Sequence, residues 1–205
     1  MNPNQKNAKL NILRESFHSL MANGIRSFTV DNLAYKMGMS KKTIYKFFPS
    51  KEILIEKSVQ YFTGIIENKF STIIENEPDP AIQFVKVMEY IMDEFSRIPI
   101  QRMYELKSRY PHIWEKVEEF RLAQRDNFFT MLSNAQKQDQ IWEAVNVSII
   151  STLYVNIINS TFQPEFFLKN NLTPKEAIYS FLSMVINGIF IPDAQIRINN
   201  YLADH

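Results

Sequence analysis

Residues 29–52, TVDNLAYKMGMSKKTIYKFFPSKE, hold two short helical patterns separated by Gly38-Met39-Ser40. Val30, Leu33, Ala34 and Met37 stand at i, i+3, i+4 and i+7, which is one apolar face of a two-turn helix. Thr29 precedes that face as an N-cap, and Asp31 is favourably placed in its first turn. Gly38 suits the left-handed backbone position that stops a helix. Ser40 can cap the second pattern, in which Ile44, Phe47 and Phe48 repeat at i, i+3 and i+4. Two helices joined by a three-residue turn containing Gly make a helix-turn-helix.

The second helix, expected over Lys41–Phe48, carries Lys41 and Lys42 in its first turn. The macrodipole disfavours cations there by a few tenths of a kcal/mol. Either the turn is a solvated basic patch, or an external anion lies against it. In DNA-reading units of this kind, the N-terminal residues of the second helix meet base edges in the major groove.

Outward from this stretch, charge is unevenly spread. The net charge of +1 conceals ten Lys/Arg against four acids in residues 1–60, a local +6, and a remainder of −5. A basic head on an acidic body points to a polyanion partner at one end. At 205 residues the chain suits one or two domains with a substantial core. Cysteine is absent, which excludes disulfides, thiolate metal sites and thiol nucleophiles. The polar start MNPNQKNAKLN has no apolar segment of signal-peptide type. The longest charge-free run, Ala144 to Pro164, is interrupted by Asn146, Ser148, Ser151, Thr152, Asn156, Asn159 and Ser160, so it reads as a buried helix and not a membrane span. A soluble, cytoplasmic protein is expected.

Residues 8–23 read as a first helix with Leu10, Leu13, Phe17, Leu20 and Met21 on one stripe, ended at Asn23-Gly24. Pro49 breaks the second helix of the motif, and Ser50 can cap a long helix from Lys51 to about Asn76. Its inward positions are Ile55, Val59, Phe62, Ile65, Ile66, Phe70 and Ile73. Gly64 interrupts that helix at a cost of about 1 kcal/mol, either for close packing or as a compliant point. Asp79-Pro80 starts a helix to about Ser96, and Pro99 and Pro111 each open another. The helix after Pro111 is expected to be long, reaching Leu132 before a loop at Gln136–Gln140. Ala144–Phe162 is a further helix, Pro164–Asn171 a loop, and Thr173-Pro174-Lys175-Glu176 a capping box that opens a helix to Ile191. Pro192 stops it, and Asp193 caps a short last helix. Nothing has strand periodicity, so the fold class is all-α.

The order of features carries a resemblance. A first amphipathic helix is followed by Gly24, Phe28-Thr29-Val30, Leu33-Ala34, Gly38-Met39-Ser40, Thr43-Ile44-Tyr45, Phe47-Phe48 and Ser50-Lys51-Glu52-Ile53-Leu54. Over roughly residues 8–55 this resembles the DNA-binding domain of the tetracycline repressor (TetR) family of bacterial transcription regulators. Lys42 departs from the small or turn-forming residues common there. The resemblance implies a three-helix DNA-binding domain at 1–50 and a helical effector-binding and dimerisation domain at 51–205. It implies a homodimeric regulator, a repressor, on a near-palindromic double-stranded operator. The dimer would form through helices at about 142–163 and 174–191, with small residues Ser148, Ser151, Ser180, Ser183 and Gly188 permitting close approach.

By the same resemblance, Thr29, Tyr45 and Lys51 match phosphate-holding positions. Ser40, Lys41, Lys42, Thr43 and Lys46 lie where the second helix meets bases or flanking phosphates, with Lys41 and Lys42 assigned to bases and Lys46 to phosphate. Aromatic and Met residues crowd 84–129, and an apolar pocket is expected to draw on Phe62, Ile66, Met88, Met92, Phe95, Tyr104, Trp114, Phe128 and Tyr154. Its effector would be a hydrophobic small molecule of unknown identity. No cofactor or metal is expected. The three histidines, His18, His112 and His205, have no metal-ligand spacing, and none of the common catalytic motifs occurs, so the chain does not read as an enzyme. The remaining competitor is an interaction module whose basic head meets some other acidic partner.

Overall fold

The computed structural model describes residues 3–204, and all of its regular elements are helices. They are α1 (Pro3–Asn23), α2 (Val30–Lys36), α3 (Lys41–Phe47), α4 (Lys51–Asn76), α5 (Pro80–Ser96) and α6 (Ile100–Arg109). There follow α7 (Pro111–Ala123), α8 (Arg125–Lys137), α9 (Val147–Thr161), α10 (Pro164–Asn170), α11 (Pro174–Ile189) and α12 (Pro192–Asp204). Two compact units result. One is the chain up to Ile66 together with Ile98–Val117, and the other is Glu67–Arg97 with the chain from Glu118 onward.

The first unit is built around the motif read above. Thr29 caps α2 by accepting from the Asn32 N–H at 3.1 Å, and Ser40 caps α3 by accepting from Thr43 N–H at 3.0 Å. Each cap satisfies a backbone donor that a helix start leaves orphaned, worth about 1 kcal/mol. Leu13, Leu20, Ile25, Phe28, Val30, Leu33, Ile44, Phe48 and Leu54 close over one core. Phe17 stacks on Phe62 with ring centroids 4.2 Å apart. Gly24 and Gly38 both take positive φ, +86° and +61°, where a side chain is strained.

In the second unit α5 is the central helix, nearly all buried from Pro80 to Met88. Asp79 caps it by accepting from Ala81 N–H at 2.9 Å. Phe84 meets the rings of Phe128, Tyr154 and Phe190, and Tyr154 also meets Phe128 and Phe181. The Tyr154 hydroxyl donates to the Met88 sulfur. Burying each such ring contributes about 1.5–3 kcal/mol. The capping box of Thr173 and Glu176 forms as read. Arg121 is buried, donates to the Phe162 carbonyl at 3.0 Å and so caps the end of α9; burial pulls its guanidinium down to about 10, still charged at neutral pH.

Several sequence expectations are corrected. α1 starts well before residue 8, and Leu10 points to solvent while Ile12 and Ser16 are buried in its place. Ser16 is tolerated there because its hydroxyl donates to the Ile12 carbonyl at 2.6 Å. Ile65 of α4 is exposed. The long helix after Pro111 breaks at Gln124, whose N–H turns to Arg121 C=O and whose amide donates to Phe120 C=O, both i to i−3 or i−4 links. The expected loop 164–171 is α10, with Pro164 in its first turn and Asn171 left-handed at its end. Pro192 opens α12 and does not merely end α11. Gly64 has open space where a Cβ would stand, so close packing is not its reason.

Those two glycines are expected to respond oppositely. Gly24→Ala should lose about 1–2 kcal/mol, because its φ is left-handed and a Cβ would meet Arg102 and Glu105. Gly64→Ala should gain about 1 kcal/mol. Urea midpoints at one fixed protein concentration measure both, and a destabilised Gly64→Ala would contradict the open surroundings.

Candidate nucleic-acid interface

The turn between α2 and α3 gathers most of the expected contact residues. Ser40, Lys41, Lys42, Tyr45 and Lys46 are exposed, while Ile44 between them is fully buried and anchors the helix. Ser40 and Thr43 hydroxyls lie 2.8 Å apart, so both side chains are spent partly on shaping the helix start. Lys42 and Lys46 stand one turn apart, as do Lys41 and Tyr45, giving two adjacent solvent-facing rows. The Lys41 ammonium sits 6.0 Å from the centre of the Tyr45 ring.

Two placements differ from a simple basic surface. Lys41 donates to Asp31 Oδ2 at 2.8 Å, and this carboxylate raises the lysine's pKa. Lys51 does not project freely: it is half-buried, lies 5.7 Å from the Phe28 ring centre and donates to the Ile25 carbonyl at 3.4 Å. Burial, followed by the nearby Arg109 charge, lowers its pKa. Thr29 is exposed at the start of α2.

The turn that carries α2 is gripped from outside the motif. Glu105 of α6 accepts from Ile25 N–H at 2.9 Å through one oxygen and from Arg102 at 2.9 Å through the other. Lys36 pairs with Glu15, which lowers that carboxyl's pKa. Lys116 of α7 donates to Glu56 of α4 at 2.6 Å, and His112 lies 3.0 Å from Glu52. Sequence reasoning missed Asp31 and Glu105 in these roles because each meets a partner on another helix or far along the chain, and missed Arg102 because its role comes only through Glu105, three residues on in α6. Tyr35, 91% exposed on α2, was also passed over, although its place outside the apolar spacing was legible.

The residues named for an apolar pocket divide between the units. Phe62, Ile66, Tyr104 and Trp114 belong to the first, where Ile66 and Trp114 are core and Tyr104 is 45% exposed. Met88, Met92, Phe95, Phe128 and Tyr154 belong to the second, where Tyr154 packs directly on both Met88 and Phe128. A cleft of about 320 Å³ opens beside them, walled by Ile158, Phe162, Phe166, Leu172, Phe181 and Met184. Tyr154 backs it through Phe181, and Phe95 through Phe162. A second, polar cleft of about 380 Å³ holds Lys69, Glu77, Lys86, Glu89, Tyr90 and Tyr201. Lys86 pairs with Glu77, Lys69 lies 6.0 Å from the Tyr90 ring centre, and the Tyr201 hydroxyl, pushed up to about 12 by burial and Glu89, donates to Glu89.

A face of α9 and α11 is left uncovered. Ile149, Leu153 and Ile157 follow each other at i, i+4 and i+8, with Leu153 51% exposed, and Tyr179 and Met184 are exposed on α11. Gly188 has open space around it. Ser148 and Ser180 are exposed as well, whereas Ser151 faces the chain's own core and donates to Val147 C=O. No described helix is long and apolar enough to cross a membrane, and no described group of His, Cys, Asp or Glu is arranged to hold a metal; His205 lies outside the described residues.

Residues 12–57 match the family model for bacterial regulatory proteins of the tetR family. An HTH-type transcriptional regulator of Bacillus subtilis, YvaF, is 28% identical over 179 residues, 87% of this chain and 93% of that protein. Among solved structures, a transcriptional regulator from Saccharomonospora viridis in complex with choline superposes with a TM-score of 0.68 at 14% identity, over 91% of this chain and 99% of that one. A TetR-family regulator from Rhodococcus gives 0.62 at 14% identity, over 88% and 97%.

Proposed function

We propose that this chain, which belongs to the TetR family of bacterial regulatory proteins, is a homodimeric, ligand-responsive repressor of a near-palindromic operator. Its working compartment on this reading is the cytoplasm, where the DNA is. The observation that carries the reading is the solvent-facing set on α3: Lys41, Lys42, Tyr45 and Lys46 exposed around a fully buried Ile44. Lys41 and Lys42 take base edges, guanine N7 and O6 above all. Ser40 and Thr43 flank them. Lys46, Tyr45 and Thr29 take phosphates and fix the register. Lys51 acts from behind, by holding the turn at Ile25, and meets phosphate only at the rim.

The exposed apolar residues of α9 and α11 support dimerisation. An apolar surface of that continuity is a usual mark of a protein interface. A two-fold pair would present two α3 helices to half-sites about 34 Å apart or a multiple of that. Repression then requires only that the dimer occupy the operator.

The effector on this reading is a moderately sized, largely apolar molecule. Met88, Met92, Phe95, Phe128 and Tyr154 remain its proposed surroundings, with the adjoining cleft at Phe162 and Phe181 as the open space. The hydroxyls of Thr161 and Ser180 line that cleft and can hold a polar end. Its signal would come from unequal affinity for two arrangements of the chain.

Three outcomes follow. In a mobility-shift assay on DNA flanking its own gene, Lys41→Ala with Lys42→Ala should lose sequence-specific retention while the dimer persists, and unchanged base preference would remove both from the reading set. Leu153→Glu should convert the dimer to monomer in sedimentation velocity; a dimer that survives places the interface elsewhere. An apolar compound that raises the wild-type melting temperature should fail to stabilise Ala177→Leu, in which the cleft is filled. Equal stabilisation of both would move the effector out of the cleft.

A further inference from the structure

We infer that Asp31 determines operator specificity: with Lys41 it forms a donor–acceptor couple that reads one G·C pair in each half-site. The inference rests on α3 being the DNA-reading helix.

The geometry is local. Asp31 Oδ2 accepts from the Lys41 ammonium at 2.8 Å across the gap between α2 and α3, and both side chains are open to solvent. The Tyr45 ring centre lies 6.0 Å from the same ammonium. A lysine tied to a carboxylate on the neighbouring helix is directed, whereas a free lysine sweeps a wide volume. Asp31 favours the start of α2 as an acid in its first turn, while the exposed ion pair itself adds little to stability and leaves the pair open to a further partner.

The chemistry selects a base pair. Of the three ammonium N–H groups, one is taken by Asp31 and two remain. Asp31 Oδ1 makes no hydrogen bond among the described residues. The couple therefore offers two donors beside an acceptor. In the major groove a G·C pair presents guanine N7 and O6 as neighbouring acceptors and then cytosine N4 as a donor. An A·T pair breaks that order, since adenine N6 is a donor next to N7 and a methyl group follows thymine O4. The carboxylate also cancels one positive charge of this surface, so a duplex held by its backbone alone is bound more weakly than it would be without Asp31. Asp31 thus weakens indiscriminate binding while rewarding one base pair.

The test uses the full-length chain. Selection from a random duplex pool with the wild-type protein should recover half-sites containing a G·C pair whose change to A·T weakens wild-type binding by about fivefold or more. For Asp31→Asn the same change should cost less than about twofold, and an unrelated duplex should bind several-fold tighter than it binds wild type, by loss of one negative charge. Lys41→Met combined with Asp31→Asn should lose no more discrimination at that pair than Lys41→Met alone, as members of one couple do. Unaltered discrimination in Asp31→Asn, additive losses in the double variant, or an effect confined to an A·T position would each overturn the inference. Failure of the wild-type protein to enrich any sequence would instead sink the DNA-reading function, and the inference with it.

Discussion

The first unit hangs on one left-handed residue. Gly24, at φ +86°, lets the chain leave α1 and turn back toward α2 while its own N–H still reaches Leu20 C=O and its C=O still receives Phe28 N–H. That turn leaves Ile25 with a peptide N–H and C=O pointing away from both helices. The N–H goes to Glu105 and the C=O to Lys51. An unmet buried donor costs about 1–3 kcal/mol, and a charged acceptor makes the stronger bond. Side chains outside the helix-turn-helix therefore decide how the turn leading into it is held. Arg102 holds Glu105 in turn, and the space those two fill is the space a Cβ at Gly24 would need.

Charge placement on the same unit follows a common logic. Lys36 is tied to Glu15, Lys41 to Asp31 and Lys51 to a backbone carbonyl. Such bonds restrict long side chains that otherwise carry about 2 kcal/mol of rotamer entropy. Lys42 and Lys46 keep their reach on the solvent side of α3. A basic surface organised in this way holds some cations in fixed places, Lys41 among them and still open to solvent, and leaves others to reach freely. Net charge alone, at +6 over residues 1–60, makes no such distinction.

What could be read from the residues was whatever neighbours along the chain determine. The caps at Thr29, Ser40, Asp79 and Thr173 were legible because a cap acts within three residues. The buried face of α2 followed from spacing alone. The break at Gln124 was not legible, since no Pro or Gly marks it. Nor was α10, because seven residues between Gln163 and Asn171 have the look of a loop until Phe167 finds Phe162. Leu10 and Ile65 were misassigned for a related reason: a helix stripe gives the apolar side, while the neighbours decide which of its edges is covered. The pocket residues were drawn from composition, which finds aromatics but cannot tell a packed cluster from the wall of a cleft.

Gly64 brings these points together. The sequence allowed two reasons for it, close packing or compliance, and both had to outweigh about 1 kcal/mol of helix propensity. Open space at the position removes the first. Two residues later, at Ile66, α4 passes from one compact unit to the other without interruption. A glycine without a packing role leaves that stretch of α4 less resistant to bending than an alanine would. Of the two reasons, compliance is the one that the open space leaves standing.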